Sequence, residues 1–387
     1  MGPRRPPRRG DVRRAGTAVS AVTVLALAVA ACSGSSDGTS DGPSTPAGTT
    51  GSTASSPSSA AAPVPQPRVA GVVATGLDVP WGIAFLPDGS ALVSERDEAR
   101  IVRVTSAGDV SDVGPVAQVA GGGEGGLLGI ALSPSFAEDR TLFAYFTSGP
   151  QNVVARLVLD DAYRISDQQT VFDGIPSGPI HDGGRIAFGP DGFLYVGTGE
   201  AGRRDPAQDP DDLGGKILRI TRDGDPAPGN PTEGSPVWTL GHRNVQGLAW
   251  DSRGRMWASE FGQNTWDELN QVVAGDNYGW PEVEGRSGES RFRDPVRQWH
   301  TDVASPSGIA VAQGSVFMAS LRGERLWQVP LLASGTGRPR ALLTQRYGRL
   351  RAVAVAPDGS LWVLTNNTDG RGSPRQGDDR IVRLTFG

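Results

Sequence analysis

A short phrase that alternates apolar with small or polar positions recurs along the chain. It reads Trp81-Gly82-Ile83-Ala84-Phe85, then Pro87-Asp88-Gly89, then Ala91-Leu92-Val93. It returns as Leu128-Gly129-Ile130-Ala131-Leu132 with Pro134, and as Arg185-Ile186-Ala187-Phe188 with Pro190-Asp191-Gly192 and Leu194-Tyr195-Val196. Three more copies are Gln246-Gly247-Leu248-Ala249-Trp250, Ser307-Gly308-Ile309-Ala310-Val311, and Arg351-Ala352-Val353-Ala354-Val355 with Pro357-Asp358-Gly359. Each copy predicts a strand, a tight turn and a second strand. In the turn, Pro presets φ, Asp bonds its own backbone and Gly takes a positive φ. A third strand follows several copies, at Arg100–Val104, Lys216–Ile220 and Arg380–Leu384. Six copies, about 45–60 residues apart, predict an all-β chain of six small antiparallel sheets. Set radially, these form a six-bladed β-propeller of four-stranded antiparallel sheets. A sandwich would not explain a fixed phrase. The stretch Gly71–Thr75 is expected to complete the last blade and close the ring. The innermost strands would line a channel, with the Gly-rich start of each phrase at its mouth.

The first part of the chain lacks this pattern. Arg4, Arg5, Arg8, Arg9, Arg13 and Arg14 precede an apolar run, roughly Ala15 to Ala31. The run is shorter than the about 20 residues of a spanning helix, so 1–31 reads as a secretory signal. Cys32 directly after small residues resembles a bacterial lipobox, which would make it the lipidated first residue of the mature protein. An ordinary signal peptide with a chance cysteine is the alternative. Residues 32–67 are Ser, Thr, Gly, Ala and Pro with almost no large apolar side chain, and read as a disordered tether. The folded domain is expected at 68–387. The chain would then lie outside the cytoplasm, lipid-anchored to the outer face of the cell membrane or secreted, with the lipid as its only membrane contact.

Composition narrows the chemistry. With 54 Gly and 30 Pro the chain suits turns and strands rather than helices. A net charge of -5 without a long basic run argues against nucleic acid as a partner. One Cys excludes an internal disulfide, and three widely separated His argue against a His-rich metal cage.

Several residues remain as candidates. His181 opens His181-Asp182-Gly183-Gly184-Arg185 before an innermost strand, where a neutral imidazole is a natural base near pH 7. Glu200, at the end of the next strand, is placed to orient that imidazole. Gly241-His242-Arg243-Asn244-Val245-Gln246-Gly247 gathers polar side chains at another blade's entry. Arg349 and Arg351 share a face across Leu350, and Arg322 holds the matching region of the previous blade. Three arginines facing one channel call for an anion between them. Asp267-Glu268-Leu269-Asn270 with Asn277-Tyr278-Gly279-Trp280-Pro281 reads as an oxygen-rich loop whose carboxylates and carbonyls suit Ca²⁺.

Taken in order, Pro80–Phe85, Glu124-Gly125-Gly126-Leu127-Leu128-Gly129, His181–Arg185, Gly215–Arg219, Gly241–Gly247, Asp267–Asn270 and Asn277–Pro281 resemble the soluble glucose dehydrogenase and aldose sugar dehydrogenase family. These are quinoproteins that use pyrroloquinoline quinone, and the short inter-blade loops look more like the aldose sugar enzymes. The resemblance implies a propeller that oxidises aldose sugars at the anomeric carbon to lactones, passing electrons to an unidentified acceptor. It implies His181 as the base, Glu200 as its carboxylate partner and Arg243 as a stabiliser of charge on the quinone oxygen. Asn244, Arg322, Arg349 and Arg351 would contact the cofactor, and Glu124 would lie at the sugar pocket. One Ca²⁺ would rest on the main-chain oxygens of Gly262 and Gln263, and a second on the Glu268 carboxylate and the Tyr278 carbonyl. Ile180, Phe261 and Val303 depart from the family pattern at polar positions. Two other readings stay open. One is a non-catalytic propeller that binds a carbohydrate or protein partner. The other is a Ca²⁺-dependent lactonase, which would need a carboxylate-rich channel floor.

Overall fold

The structure is a computed structural model that describes Gly2 and residues 64–387. The expected signal segment, Cys32 and nearly all of the expected tether lie outside these residues.

β1 (Pro67–Thr75) opens the domain. Blade one is β2 (Pro80–Phe85), β3 (Ala91–Glu95), β4 (Arg100–Val104) and β5 (Val110–Pro115). Blade two is β6 (Leu127–Leu132), β7 (Thr141–Ser148), β8 (Gln151–Leu159) and β9 (Ile165–Pro176). Blade three is β10 (Ile186–Phe188), β11 (Leu194–Gly197), β12 (Lys216–Ile220) and β13 (Val237–Leu240). Blade four is β14 (Val245–Trp250), β15 (Met256–Glu260), β16 (Trp266–Val272) and β17 (Arg297–His300). Blade five is β18 (Pro306–Ala312), β19 (Ser315–Ser320), β20 (Arg325–Pro330) and β21 (Arg340–Leu342). Blade six is β22 (Leu350–Val355), β23 (Leu361–Thr365) and β24 (Arg380–Phe386), completed by β1 pairing antiparallel with β24. The expected closure therefore holds, and the amino-terminal strand starts at Pro67, earlier than the Gly71–Thr75 stretch that predicted it. The innermost strands touch round the full cycle β2, β6, β10, β14, β18, β22 and back to β2. Pairing the first and last strands in one blade leaves the ring no open seam.

The recurring glycine has a steric cause. A Cβ on Gly129 would lie 2.1 Å from Gly184 O, one on Gly82 3.0 Å from Leu128 O, and one on Gly247 2.6 Å from Ser307 O. Each glycine lets one innermost strand press on the backbone of the next. The core is correspondingly divided. Six apolar clusters join neighbouring blades, such as Leu92 and Ile101 with Leu142 and Phe146, or Trp257 and Leu269 with Val316 and Met318. The turns behave as their residues require. Asp88 accepts from Ser90 N at 2.9 Å and from Arg103 Nη2 at 2.6 Å, and Asp358 repeats this with Ser360 and Arg383. One expectation is corrected. Asp267–Asn270 is no loop but part of strand β16, paired on both sides by β15 and β17.

Candidate active site

Three loop segments meet at one mouth of the ring: that before β10, that after β11 and that before β14. His181 takes a left-handed backbone, φ 62°, and is followed by Gly183 at φ 65°. Gly199 passes so close that a Cβ there would sit 1.9 Å from His181 O. Ala201 N donates to His181 O at 3.1 Å, and Glu200 N donates to Arg243 O at 2.9 Å. These backbone bonds bring Glu200, three residues past the end of β11, against both partners. Its buried carboxylate bonds His181 Nδ1. On the other side of the ring, Arg243 Nη2 lies 2.9 Å from His181 Nε2. A guanidinium only donates, so Nε2 must present its lone pair and Nδ1 must carry the proton to Glu200. The contacts thus select a neutral imidazole with its basic nitrogen turned toward Arg243. The expected trio of His181, Glu200 and Arg243 is brought together.

Beside it opens a cavity of about 300 Å³ lined by Arg96, Arg322, Arg349, Arg351, Arg371, Glu124, Trp81, Gln246 and Phe261, among others. The predicted convergence of Arg322, Arg349 and Arg351 is present. Arg349 pairs with Asp369 at 2.9 Å, Arg96 with Asp97 at 2.6 Å and Arg371 with Glu124 at 2.8 Å. Arg322 and Arg351 form no ion pair among the described residues. Arg351 is buried on neutral partners only: Asn366 Oδ1 at 2.9 Å, Gln246 Oε1 at 3.0 Å and Ser307 Oγ at 3.4 Å. Burial pulls its guanidinium below the ordinary range. Several buried donors here find no protein partner: Arg243 Nε, Asn244 Nδ2, Arg349 Nε and Asn366 Nδ2. Donors in excess and cations without counterions describe a site for a ligand rich in anionic acceptors.

Asn244 is wholly buried and its Oδ1 accepts from Gly183 N at 2.9 Å, so it also fixes the His181 loop. Glu124 does the same from another blade. Its Oε2 accepts from His181 N at 2.8 Å while Oε1 holds Arg371. Burial opposes the Glu124 charge, but the His181 N–H and Arg371 outweigh it and hold the carboxyl below its ordinary value. Phe261 faces the cavity, Val303 lines a neighbouring opening with Gln263 and Arg322, and Ile180 is exposed.

Sequence reasoning missed Arg96, Arg371 and Arg185. The first two lie outside the phrase, in loops that only the closed ring brings to the mouth. Arg185 did leave a signal, because it stands where other copies carry glycine. It is buried, lies 4.2 Å from the Trp81 ring centre, donates through Nε to Gln246 O at 2.8 Å, and leaves Nη2 without a protein partner. It therefore crosses the channel from blade three to blades one and four. Burial pulls its guanidinium well below the ordinary range too.

The residues expected to hold metal fall in two places. Among the described residues no three His, Cys, Asp or Glu side chains converge as a metal cluster, so a cation would depend on main-chain oxygens. Gly262 and Gln263 lie between β15 and β16, and their carbonyls accept no hydrogen bond among the described residues. That leaves them free as hard oxygen ligands. Glu268 is buried opposite Glu260 across the β15–β16 pair and accepts from Gly285 N at 2.8 Å and Asn270 Nδ2 at 3.0 Å. Burial first, then Glu260, pushes its carboxyl up to about 8. The Tyr278 ring stacks on His242 at 4.5 Å, and His242 bonds Glu260. Burial also raises Asp267, to about 6, against the amides of Ser305 and Gly262.

A ring of six blades with an oriented base and a cation-lined cavity at one mouth defines a propeller built round a small-molecule site. The chain belongs to the glucose/sorbosone dehydrogenase family, whose model matches residues 77–380. It is similar to the aldose sugar dehydrogenase of Streptomyces coelicolor, solved in a PQQ-bound form, at 57% identity and a TM-score of 0.82, over 84% of this chain and 99% of that one. It is 31% identical over 333 residues to the aldose sugar dehydrogenase YliI of Escherichia coli, covering 76% of this chain and 89% of the relative. The quinoprotein glucose dehydrogenase B of Acinetobacter calcoaceticus is 30% identical over 257 residues, 57% of this chain and 54% of the relative.

Proposed function

We propose that this protein oxidises aldose sugars at the anomeric carbon to lactones, with pyrroloquinoline quinone as cofactor and Ca²⁺ as its metal. The observation that carries this reading is the Nε2 lone pair of His181, held by Arg243 alone beside a cavity lined by five arginines, two of which, Arg322 and Arg351, form no ion pair among the described residues. Pyrroloquinoline quinone, when bound, supplies the acceptor for the hydride that leaves the anomeric carbon. Its three carboxylates match Arg322, Arg349 and Arg351, with the spare donors of Asn244 and Asn366 as further contacts. Ca²⁺ would rest on the carbonyls of Gly262 and Gln263.

His181 Nε2 takes the proton of the anomeric hydroxyl. The sugar hydroxyl replaces Arg243 as the partner of that nitrogen, which leaves the guanidinium to stabilise negative charge developing beside it. Glu200 keeps the Nδ1 proton and stabilises the imidazolium that forms, so the ring does not rotate during transfer. Glu124 lies at the sugar side and braces the His181 backbone.

Reconstitution tests this reading. The purified chain, given pyrroloquinoline quinone and Ca²⁺, is expected to reduce an electron-accepting dye with aldoses from a panel. Cofactor binding without dye reduction would return the chain to the class of binding propellers. We also propose that the protein works outside the cytoplasm, tethered through Cys32. Cys32→Ser is expected to move it from the membrane fraction to the soluble one, and unchanged membrane retention would contradict this.

A further inference from the structure

We propose that Glu284 is a positioning residue that turns the main-chain oxygens of Gly262 and Gln263 toward a bound cation. This rests on the reading above, in which Ca²⁺ occupies those two oxygens. One oxygen of Glu284, Oε1, accepts four consecutive amides: Gln263 N at 2.8 Å, Asn264 N at 3.0 Å, Thr265 N at 2.8 Å and Trp266 N at 3.0 Å. The preceding amide, Gly262 N, donates to Asp267 Oδ1 at 3.0 Å. Five successive N–H groups therefore point at carboxylates. In a trans peptide the C=O points opposite to the N–H of the same unit. The Gly262 carbonyl shares its peptide with Gln263 N, and the Gln263 carbonyl shares its peptide with Asn264 N. Both oxygens are thus directed away from Glu284.

The carbonyls at the two ends of this row have protein donors. Phe261 O accepts from Arg243 Nη1 at 3.3 Å, within the site, and Asn264 O accepts from Thr301 Oγ1 at 3.3 Å. The two carbonyls between them have no donor among the described residues and stand available as hard oxygen ligands. Gly262 is required for the packing. A Cβ there would fall 1.8 Å from Trp266 O and 2.8 Å from Glu284 Oε1. Nothing in the residue order around Gly262 announces this role, because the anchor stands about twenty residues downstream, beyond β16.

The test uses the full chain with saturating pyrroloquinoline quinone and calorimetric titration of Ca²⁺. Thermal unfolding without Ca²⁺ is measured in parallel. Outer partners of metal ligands typically contribute about 10–100-fold in affinity. Glu284→Gln and Glu284→Ala are expected to weaken Ca²⁺ binding by about that factor. Their unfolding without Ca²⁺ should stay near wild type, since residues 263–265 are exposed and their amides turn to water. Glu282→Gln removes an equal charge from the same segment without touching the 262–266 turn, and is expected to leave the affinity within about twofold of wild type. Wild-type affinity in both Glu284 variants overturns the proposal, as does an equal loss in Glu282→Gln. A wild-type protein that binds the quinone but no Ca²⁺ overturns the calcium reading first and this inference with it.

Discussion

Two imidazole–carboxylate pairs lie one blade apart, and their difference locates the chemistry. His181 bonds Glu200 and His242 bonds Glu260 at 2.6 Å, in each case through Nδ1. The second nitrogen decides between them. His242 Nε2 meets the Thr239 hydroxyl at 2.9 Å, beneath the stacked Tyr278 ring, and the side chain has no exposure at all. His181 Nε2 meets Arg243, next to Asp182, Gly183 and Phe261 of the cavity wall. The His242 pair is sealed by a neutral group and serves packing. The His181 pair keeps a lone pair under a donor that a substrate hydroxyl can replace. A His–carboxylate pair is therefore not by itself a catalytic unit; the proposal of His181 as the base rests on access to its second nitrogen.

The largest expected effect separates these two roles. His181→Ala should lower turnover by about 10³-fold while the folded protein still binds the quinone. His242→Ala should instead cost about 3 kcal/mol of stability, the scale for orphaning one member of a buried polar pair, while the folded fraction keeps its turnover. Steady-state kinetics beside thermal melts would break the comparison if the two effects were exchanged.

A smaller effect concerns the cations that only one of the two pairs faces. Arg351→Gln should weaken quinone binding by about 10–100-fold, the range for a charged hydrogen bond. Without cofactor the same variant should melt no earlier than wild type, because it removes a buried charge that has no counterion. An earlier melt with unchanged quinone affinity would make Arg351 a structural residue.

The smallest effect lies at the brace under His181, which His242 lacks. Glu124 has its native value held below the ordinary 4.5, so its charge stabilises the fold above that pH and loses this contribution as pH falls through the native value. The stability gap between wild type and Glu124→Gln should be constant near neutrality and shrink in acid. A gap that widened in acid would reverse the assignment.

The ring was legible because the cause of its repeat is local. Glycine at Gly82, Gly129, Gly247 and Gly308 recurs because each innermost strand presses on the next, and the Pro-Asp-Gly turns recur because Asp88, Asp191 and Asp358 all hold the third strand's arginine. His181, Arg349 and Arg351 were legible for the same reason, since each lies within a few residues of a copy of the phrase. What stayed hidden depends on contacts across the ring. Arg371 reaches Glu124 across 247 positions of sequence, and Glu284 reaches the 262–266 turn past a whole strand. Asp267–Asn270 misled because acidic and amide residues in series suggest a loop, whereas burial between two neighbouring strands made them β16. Arg185 shows the reverse case, where a broken repeat marked a residue that the interior needed.

On this reading Arg322, Arg349 and Arg351 hold a multiply anionic quinone beside the His181 imidazole. Calorimetric titration of the purified chain, in Ca²⁺, with pyrroloquinoline quinone and with a quinone that carries no carboxylate tests it most directly. The account predicts stoichiometric binding of the first, weakened by added salt, and no binding of the second. Equal affinity for both, or binding of neither, would contradict it.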